Sequence, residues 1–542
     1  MASLSVVDRV LYNGTIVTLN NAQPRVPAVA IHDDKIVAAG ADEDILALAG
    51  HNTHRENLNG AFVVPGMTDA HVHWQAYSQS LTSVFLYNLK NKQEALQRVA
   101  DRAAQTPYGE WIIGYGWSQD EWDDKHFPTA ADLDSVAPNH PVFLKSRSVH
   151  AGWVNSAALR LCGIDASTHA PDGGEILMGD DGQPTGILLE WGAMGLIEER
   201  IPIPTLEQIA EKMLAAQEVG LSLGMTGFHD FDNQECFAAL QLLRERGQLE
   251  LRVLKNFNKK YLDSALDMGL RFGFGDDWIR LGALKIFADG ALGPHTACMI
   301  EPYEGEPENH GIIVTEKEDM MELASRASAS GFPTTIHAIG DRAVHDVLDV
   351  FDQVRSEETG RGEAPNLRRH RVEHVQLIHP SDVSRLAELN LVASMQPIHA
   401  TADYQMADQF WGAKRVPYSY NPRLQLDRGV TLAFGSDAPV DALGPLAGIH
   451  AAVTRRRADG SPSPDGWQPA AKISVDEALR GYTIGAAYAA GMEDKSGQIR
   501  ERFLADIVVL DRDIFTLPPD ELLETRVLAT MVGGEWRFGG YE

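Results

Sequence analysis

The sequence predicts an α/β protein: a TIM-type (β/α)8 barrel with a large insertion after its first strand, plus a small β-sandwich built from both chain ends. Three observations carry that expectation. Strand-like apolar runs recur eight times through the middle of the chain, with amphipathic helical stretches between several of them. Short alternating strands with tight turns occur only at the two ends, and one long Trp-rich gap separates the first barrel strand from the second. A chain of 542 residues is too long for one ordinary core, which agrees with a large barrel carrying additions.

The amino-terminal part, expected over residues 1–62, reads "RVLYNGTIVTLN" with a turn at Asn13-Gly14, then "AVAIHDDKIVAAG" around Asp33-Asp34. The same texture returns over 491–542 in "LADIVVLDRDIF" and in "VLATMVGGEWRF", which turns at Gly533-Gly534. Two short β segments at opposite ends of a chain are most simply strands of one sandwich, because termini tend to lie close together.

The barrel is expected over 63–490. It opens on "VVPGMTDAHVHW", where an apolar run breaks at Pro65-Gly66 and then alternates, so that His71 and His73 share a face. The remaining strands are expected in "GMTGFHDF", "LELRVLKNF", "IRLGALKIFADG", "FPTTIHAIGD", "HRVEHVQLIH", "NLVASMQP" and "VTLAFGSDAP". Helices are expected in "CFAALQLLRERG", "AVHDVLDVFDQVRS" and "PSDVSRLAEL", the last capped through Pro380 and Ser381. The gap from about 77 to 205 is too long for a βα loop. Additions to such loops gather over the carboxyl-terminal mouth of a barrel, so a substrate-enclosing subdomain is expected there. Its "GDDGQPTG" lacks the ligand alternation of a calcium loop and reads as a hairpin turn.

Composition narrows the partners. Seventy-six acidic against 47 basic residues leave a formal charge of -29, which repels phosphate backbones and anionic lipid, so neither nucleic acid nor membrane is expected. The start lacks the basic and apolar regions of a signal peptide, and no apolar run reaches the ~20 residues that span a bilayer; a cytoplasmic location is expected. Cys162, Cys236 and Cys298 are far apart, which suits buried thiols better than a disulfide framework or a thiolate metal site. A small-molecule substrate is the expected partner, and the sequence leaves room for a homo-oligomer.

Ligand-type residues fall at the ends of the expected strands. Lys285 sits inside "LGALKIFADG", His337 in "PTTIHA", His374 in "RVEHV", and Asp437 follows "LAFGS". One histidine in an apolar strand is ordinarily a hydrogen-bonded core residue. Four histidines and an aspartate at one mouth are instead the nitrogen and oxygen set that zinc and similar divalent ions prefer. Lys285 is the unusual member, since a buried ammonium must pair, neutralise or be modified.

"DAHVHW", "LKIFADGALG", "IHAIGDRAV", "VEHVQLIHP" and "FGSDAPV", with the flanking β segments, resemble the amidohydrolase superfamily, most closely its YtcJ-like branch of metal-dependent hydrolases. The resemblance runs over nearly the whole chain. It implies two divalent ions, zinc before others. His71 and His73 would bind the first ion and His337 and His374 the second, while Asp437 would bind the first and act as base. Lys285 would be carbamylated, which turns a buried cation into a bridging carboxylate. The implied reaction is hydrolysis of an amide, carbamate or related bond by metal-activated hydroxide. Asp341, Arg342 and Glu373 are candidates to orient the imidazoles.

The branch's usual "DGSLGSRTA" is "DGALGPHTA" here, so Pro294 and His295 replace a small residue and an arginine, and His295 is read as facing substrate. "SVHAGWVNSAAL" resembles a branch motif that makes His150 a pocket residue. Trp74, Trp117, Trp122 and Trp153 are expected to form an aromatic pocket for an apolar or aromatic group. The alternatives within the superfamily are a mononuclear deaminase, against which Lys285 speaks, and a cyclic-amide hydrolase. A binding protein on an inactive barrel fits the intact ligand set poorly, and a serine hydrolase lacks its G-x-S-x-G elbow.

Overall fold

The computed structural model describes residues 7–541 apart from positions 88, 124, 149 and 172. These fall into two compact units, one formed by residues 7–77 and 210–541, the other by 78–209.

The first unit holds an eight-stranded parallel barrel. In chain order its strands are β1 Met67–Val72, β2 Met225–Asp230, β3 Arg252–Asn258, β4 Ile279–Phe287, β5 Thr334–Ala338, β6 Arg371–His374, β7 Val392–Met395 and β8 Thr431–Phe434. Each pairs in parallel with the next in sequence. The strands read as apolar runs because they are covered on both faces. In β4, Leu284 and Ile286 join the outer core beneath Val344, Val347 and Phe351 of the helix Asp341–Gly360, while Lys285 turns to the opposite face. The expected helix in "PSDVSRLAEL" is broken into a 3-10 turn, Pro380–Asp382, and a short helix, Arg385–Glu388. The cap is the His379 side chain, which accepts from Ser381 N.

The seam between β8 and β1 is closed just past the ends of the strands. Asp437 N donates to His71 O at 2.7 Å, and His73 N donates to Ala438 O at 2.9 Å. Below these, the buried Asp69 carboxylate accepts from Ser436 N at 3.1 Å and His71 N at 3.0 Å. Gly435 is packed against this joint so closely that a Cβ there would stand 2.4 Å from His71 N and 2.6 Å from Asp69 Oδ1. The first of these is backbone and cannot swing aside. Gly435→Ala is therefore expected to cost about 2 kcal/mol or more and to push β1 and β8 apart, read as a lowered thermal midpoint and displaced His71 resonances.

Two sheets from the chain ends complete this unit. One orders Lys35–Gly40, Ala28–His32, Arg9–Tyr12 and His54–Asn57; the other orders Glu535–Gly539, Val527–Val532, Ile507–Leu510, Phe62–Pro65, Thr15–Val17 and Arg25–Val26. Leu11, Val29 and Ile31 from one and Ile16, Val63, Val509 and Met531 from the other share an apolar core. The boundary expected at 62/63 falls inside a strand: Phe62–Pro65 pairs with Ile507–Leu510, and the chain enters the barrel after Gly66.

The unit over 78–209 has its own six-stranded sheet, ordered Glu175–Met178, Pro184–Leu189, Ala151–Val154, Val142–Ser146, Ile112–Trp117 and Val84–Phe85. "GDDGQPTG" lies at the turn of the antiparallel hairpin formed by the first two, with Gly179 N donating to Gln183 O at 2.8 Å. No helix of the described residues is long and apolar enough to cross a membrane. Cys236 and Cys298 are buried, Cys162 is half-buried, and all three are free thiols.

Candidate metal centre

The carboxyl-terminal ends of the barrel strands bring the ligand-type side chains together. His374 closes β6, His71 and His337 lie one residue before the ends of β1 and β5, and Asp437 follows β8 across Gly435 and Ser436. The rings of His71 and His374 are 4.8 Å apart, those of His374 and His337 are 4.6 Å apart, and those of His71 and His73 are 5.7 Å apart. Among the described residues, His71, His374 and Asp437 each offer a ligand atom within 4.8 Å of the others. Asp437 Oδ1 also faces His71 Nε2 at 3.5 Å and His73 Nε2 at 3.4 Å. Both His374 (φ 74°) and Asp437 (φ 59°) are held in the left-handed backbone region, which a non-glycine residue occupies at a cost repaid by what it positions.

Outer hydrogen bonds fix which nitrogen each ring presents. His71 Nδ1 donates to Glu373 Oε2 at 2.6 Å, His73 Nδ1 to Asp232 Oδ1 at 3.0 Å, and His374 Nδ1 to Gln396 Oε1 at 2.8 Å. These three rings therefore turn Nε2 inward. His337 is reversed: its Nε2 donates to Gly290 O at 2.8 Å, so Nδ1 keeps the lone pair. Glu373 is itself held by Arg371 Nε at 2.8 Å and by a short bond from Thr335 Oγ1. The buried Arg371 guanidinium also reaches Ala70 O at 2.6 Å, Ser394 Oγ at 2.8 Å and His229 Nδ1 at 2.9 Å, tying β1, β2, β6 and β7 together beneath the site.

The protonation states follow from burial and these partners. Burial pushes His71 down to about 4 and His337 down to about 3, and holds His374 well below the usual imidazole range. Against the cost of burial, the bond to Asp232 and the facing charge of Asp437 raise His73 to about 10. Despite its own burial, Asp437 is held well below the carboxylate range by His71, His399 and His73. Burial brings Lys285 down to about 8. Among the described residues no hydrogen-bond or ion-pair partner reaches its Nζ, which lies 4.7 Å and 4.6 Å from the ring centroids of Phe231 and Phe287.

This donor set fits a divalent cation. His71 Nε2 and Asp437 Oδ1 are buried, face one another and make no hydrogen bond, which is costly unless something else satisfies them. His71, His337 and His374 are held neutral and Asp437 ionised, the states in which such groups bind metal, whereas His73 would give up its proton to an ion.

Several expected roles are corrected. Asp341 and Arg342 do not orient the imidazoles: Asp341 Oδ1 accepts from Ile300 N at 2.9 Å, and Arg342 pairs one helical turn on with Asp346 at 2.7 Å. Trp74 begins the helix Trp74–Ser80 and is buried against Phe228, its ring 4.3 Å away, so it packs the barrel instead of lining a pocket. Trp117, Trp122 and Trp153 pack against one another in the core of the 78–209 unit, each pair 6.1 Å apart. Trp117 Nε1 donates to Leu144 O and Trp153 Nε1 to Thr129 O. Trp117 and His150 nevertheless line one cavity of about 620 Å³ in this unit, as pocket residues were expected to, and His150 bonds Glu190 Oε2 at 2.8 Å. His295 bonds Glu306 Oε1 at 2.7 Å and packs between Tyr303 and Phe410.

Other residues of the centre went unread in the sequence. His399, at the start of the helix Pro397–Met406, sets Nε2 3.4 Å from Asp437 Oδ2 and Nδ1 2.6 Å from Asp441 Oδ2. Asp232 is fixed with Asp230 around the buried ammonium of Lys255, which bonds Asp230 Oδ2 at 2.6 Å. Asp289 accepts from Cys298, Ile339 and Gly340 N and lies 3.5 Å from His337 Nε2.

The comparisons agree with this geometry. A model described as the amidohydrolase family matches residues 56–538. The putative amidohydrolase YtcJ of Bacillus subtilis (strain 168) is 30% identical over 97% of this chain and 98% of its own length. The N-substituted formamide deformylase of Arthrobacter pascens is 30% identical over 98% of each chain. An uncharacterized metal-dependent hydrolase from Pyrococcus furiosus superposes with a TM-score of 0.76 at 28% identity, over 94% of this chain and all of its own. Barrel, convergent ligand set and full-length relatives lead to one conclusion: the chain belongs to the amidohydrolase family and is a metal-dependent hydrolase.

Proposed function

We propose that the chain hydrolyses the C–N bond of a small N-substituted amide, formamides among them, at a centre of two divalent ions, zinc before others. The observation that carries this reading is the facing pair of unsatisfied atoms, His71 Nε2 and Asp437 Oδ1, among rings whose outer nitrogens are already committed. The relative named as an N-substituted formamide deformylase supports the bond type.

His71, His73 and Asp437 would hold one ion and His337 and His374 the other. Ions there acidify water and polarise a carbonyl oxygen. The chain's own part is proton transfer. Hydrolysis needs a proton taken from water as its oxygen adds to the carbonyl carbon, and a proton given to the departing nitrogen. Asp437 Oδ1 is placed to do both. His399 and Asp441 brace the other oxygen of the same carboxylate. Lys285, brought down to about 8 by burial and held in no ion pair among the described residues, suits reaction with carbon dioxide: the ammonium gives up one proton, the neutral Nζ bonds the carbon, a second proton leaves that nitrogen, and a cation becomes a carboxylate that would serve as a ligand.

A one-ion site is the second reading, favoured by the close grouping of His71, His374 and Asp437 alone. Metal analysis of wild type and Lys285→Ala separates the two. The two-ion reading expects about two equivalents per chain, falling with activity in Lys285→Ala. One equivalent, retained with activity in the variant, would establish the other.

A further inference from the structure

We infer that Phe287 and the exposed segment Ile312–Val314 form the apolar subsite that selects the substrate's nitrogen substituent, an inference that rests on the hydrolytic reading above. Residues two apart in a strand share a face, so Phe287, the last residue of β4, stands on the inner face with Lys285. Its ring lies 4.6 Å from Lys285 Nζ and 5.2 Å from the His337 ring, beside the ligand set. Leu284 and Ile286, on the other face, are buried in the outer core; Phe287 is 37% exposed. A phenyl ring open to solvent beside a buried lysine and histidine is an apolar wall with one free side.

The wall continues into a second segment. Val314 N donates to Ala288 O at 2.9 Å, Ile312 N donates to Thr296 O at 3.0 Å, and Ile313 pairs with Asp289, two residues beyond Phe287. This pairing fixes the segment alongside the end of β4. Ile312, Ile313 and Val314 are nevertheless 53%, 45% and 52% exposed, three consecutive apolar side chains left in water by a backbone that is firmly held. Ile313, opposite Asp289, takes the face that Phe287 shares, and exposed apolar side chains held in this way are the kind that mark a binding site. Of the tryptophans that the sequence offered for this purpose, Trp74 packs the barrel and Trp117, Trp122 and Trp153 belong to the 78–209 unit, whereas Phe287 belongs to the same strand as Lys285. An alkyl or aryl group on the amide nitrogen is the occupant this surface suits.

The test compares N-butylformamide with N-hydroxypropylformamide, which differ by methyl against hydroxyl, on the zinc-loaded full chain. Phe287→Ala is expected to lower kcat/KM for the butyl compound about tenfold, with a smaller loss for the hydroxypropyl compound and metal content unchanged. Phe287→Leu should keep the preference, and Ile313→Ser should weaken it. Saturation-transfer NMR reads contact with the butyl chain independently of turnover. If wild type cleaves neither compound, the hydrolytic reading fails, and transfer that is lost in Phe287→Ala still supports the subsite. Equal losses on both compounds, transfer unchanged by the variant, or an altered association state with unaltered selectivity would overturn it.

Discussion

Asp437→Asn is expected to lower amide hydrolysis by about a thousandfold or more while leaving a folded chain. Asparagine keeps the shape of the side chain and fits the left-handed backbone that Asp437 occupies (φ 59°), so the joint with His71 O survives. What it removes is the charge and the proton-accepting atom. Asp437 Oδ1 is the oxygen that both His71 Nε2 and His73 Nε2 face, and Oδ2 is the one that faces His399. Without it the two imidazoles raised to about 10, His73 and His399, lose one of their two supports and should titrate lower, which NMR of the ion-free protein would follow directly. Circular dichroism and metal content would accompany the rates. Activity within about tenfold of wild type would remove Asp437 from the chemistry.

Glu373→Gln is expected to cost about 3–5 kcal/mol of stability and to weaken ion binding about 10–100-fold. Glu373 is fully buried, takes the Nδ1 proton of His71, and is the counter-charge of Arg371. Neutralising it leaves a guanidinium unpaired inside the barrel and frees His71 to present either nitrogen. The pH dependence has a definite sign. Against its burial, Arg371 and His71 hold Glu373 well below the usual carboxylate range. Its contribution is therefore complete above the unfolded value of about 4.3 and is lost as pH falls toward the folded value. Denaturant unfolding should show wild type weakening through the acid range and Glu373→Gln nearly flat there. Arg371→Met should recover part of the loss when combined with Glu373→Gln, because the unpaired charge goes with it.

The sequence disclosed the barrel because each strand is an apolar run with its polar residue near the carboxyl end. It disclosed the histidines and the aspartate that converge at the mouth for the same reason. What it concealed depended on where the chain turns. Trp74 adjoins His73, but a helix begins there and carries the indole onto Phe228. Among the aromatic residues of the long insertion, strand pairing placed Trp153 in one core with Trp117, and Trp117, unlike Trp122 and Trp153, also lines the cavity beside His150. His399 lies just past the end of β7, at the first turn of a helix, where strand-end reasoning stops short. Asp69 and Phe287 were legible in principle. Each stands two residues from a recognised site residue, His71 and Lys285, and so shares its face. Asp341 and Arg342 misled because a charged pair just after a ligand strand also suits the first turn of a helix, which is the duty they perform.

The seam at Gly435 makes the barrel a clasp. His71 is supplied by the first strand and Asp437 by the residues after the last, and the bonds that keep them within reach of one another are also those that close the cylinder. An ion held between the two would fasten the molecule at its own opening, so occupancy and closure must rise and fall together. The amides of His73 and Asp437, which cross the seam, are where that coupling would be timed: their exchange with solvent should slow as the ion is added and quicken under a chelator, ahead of any change in the outer helices.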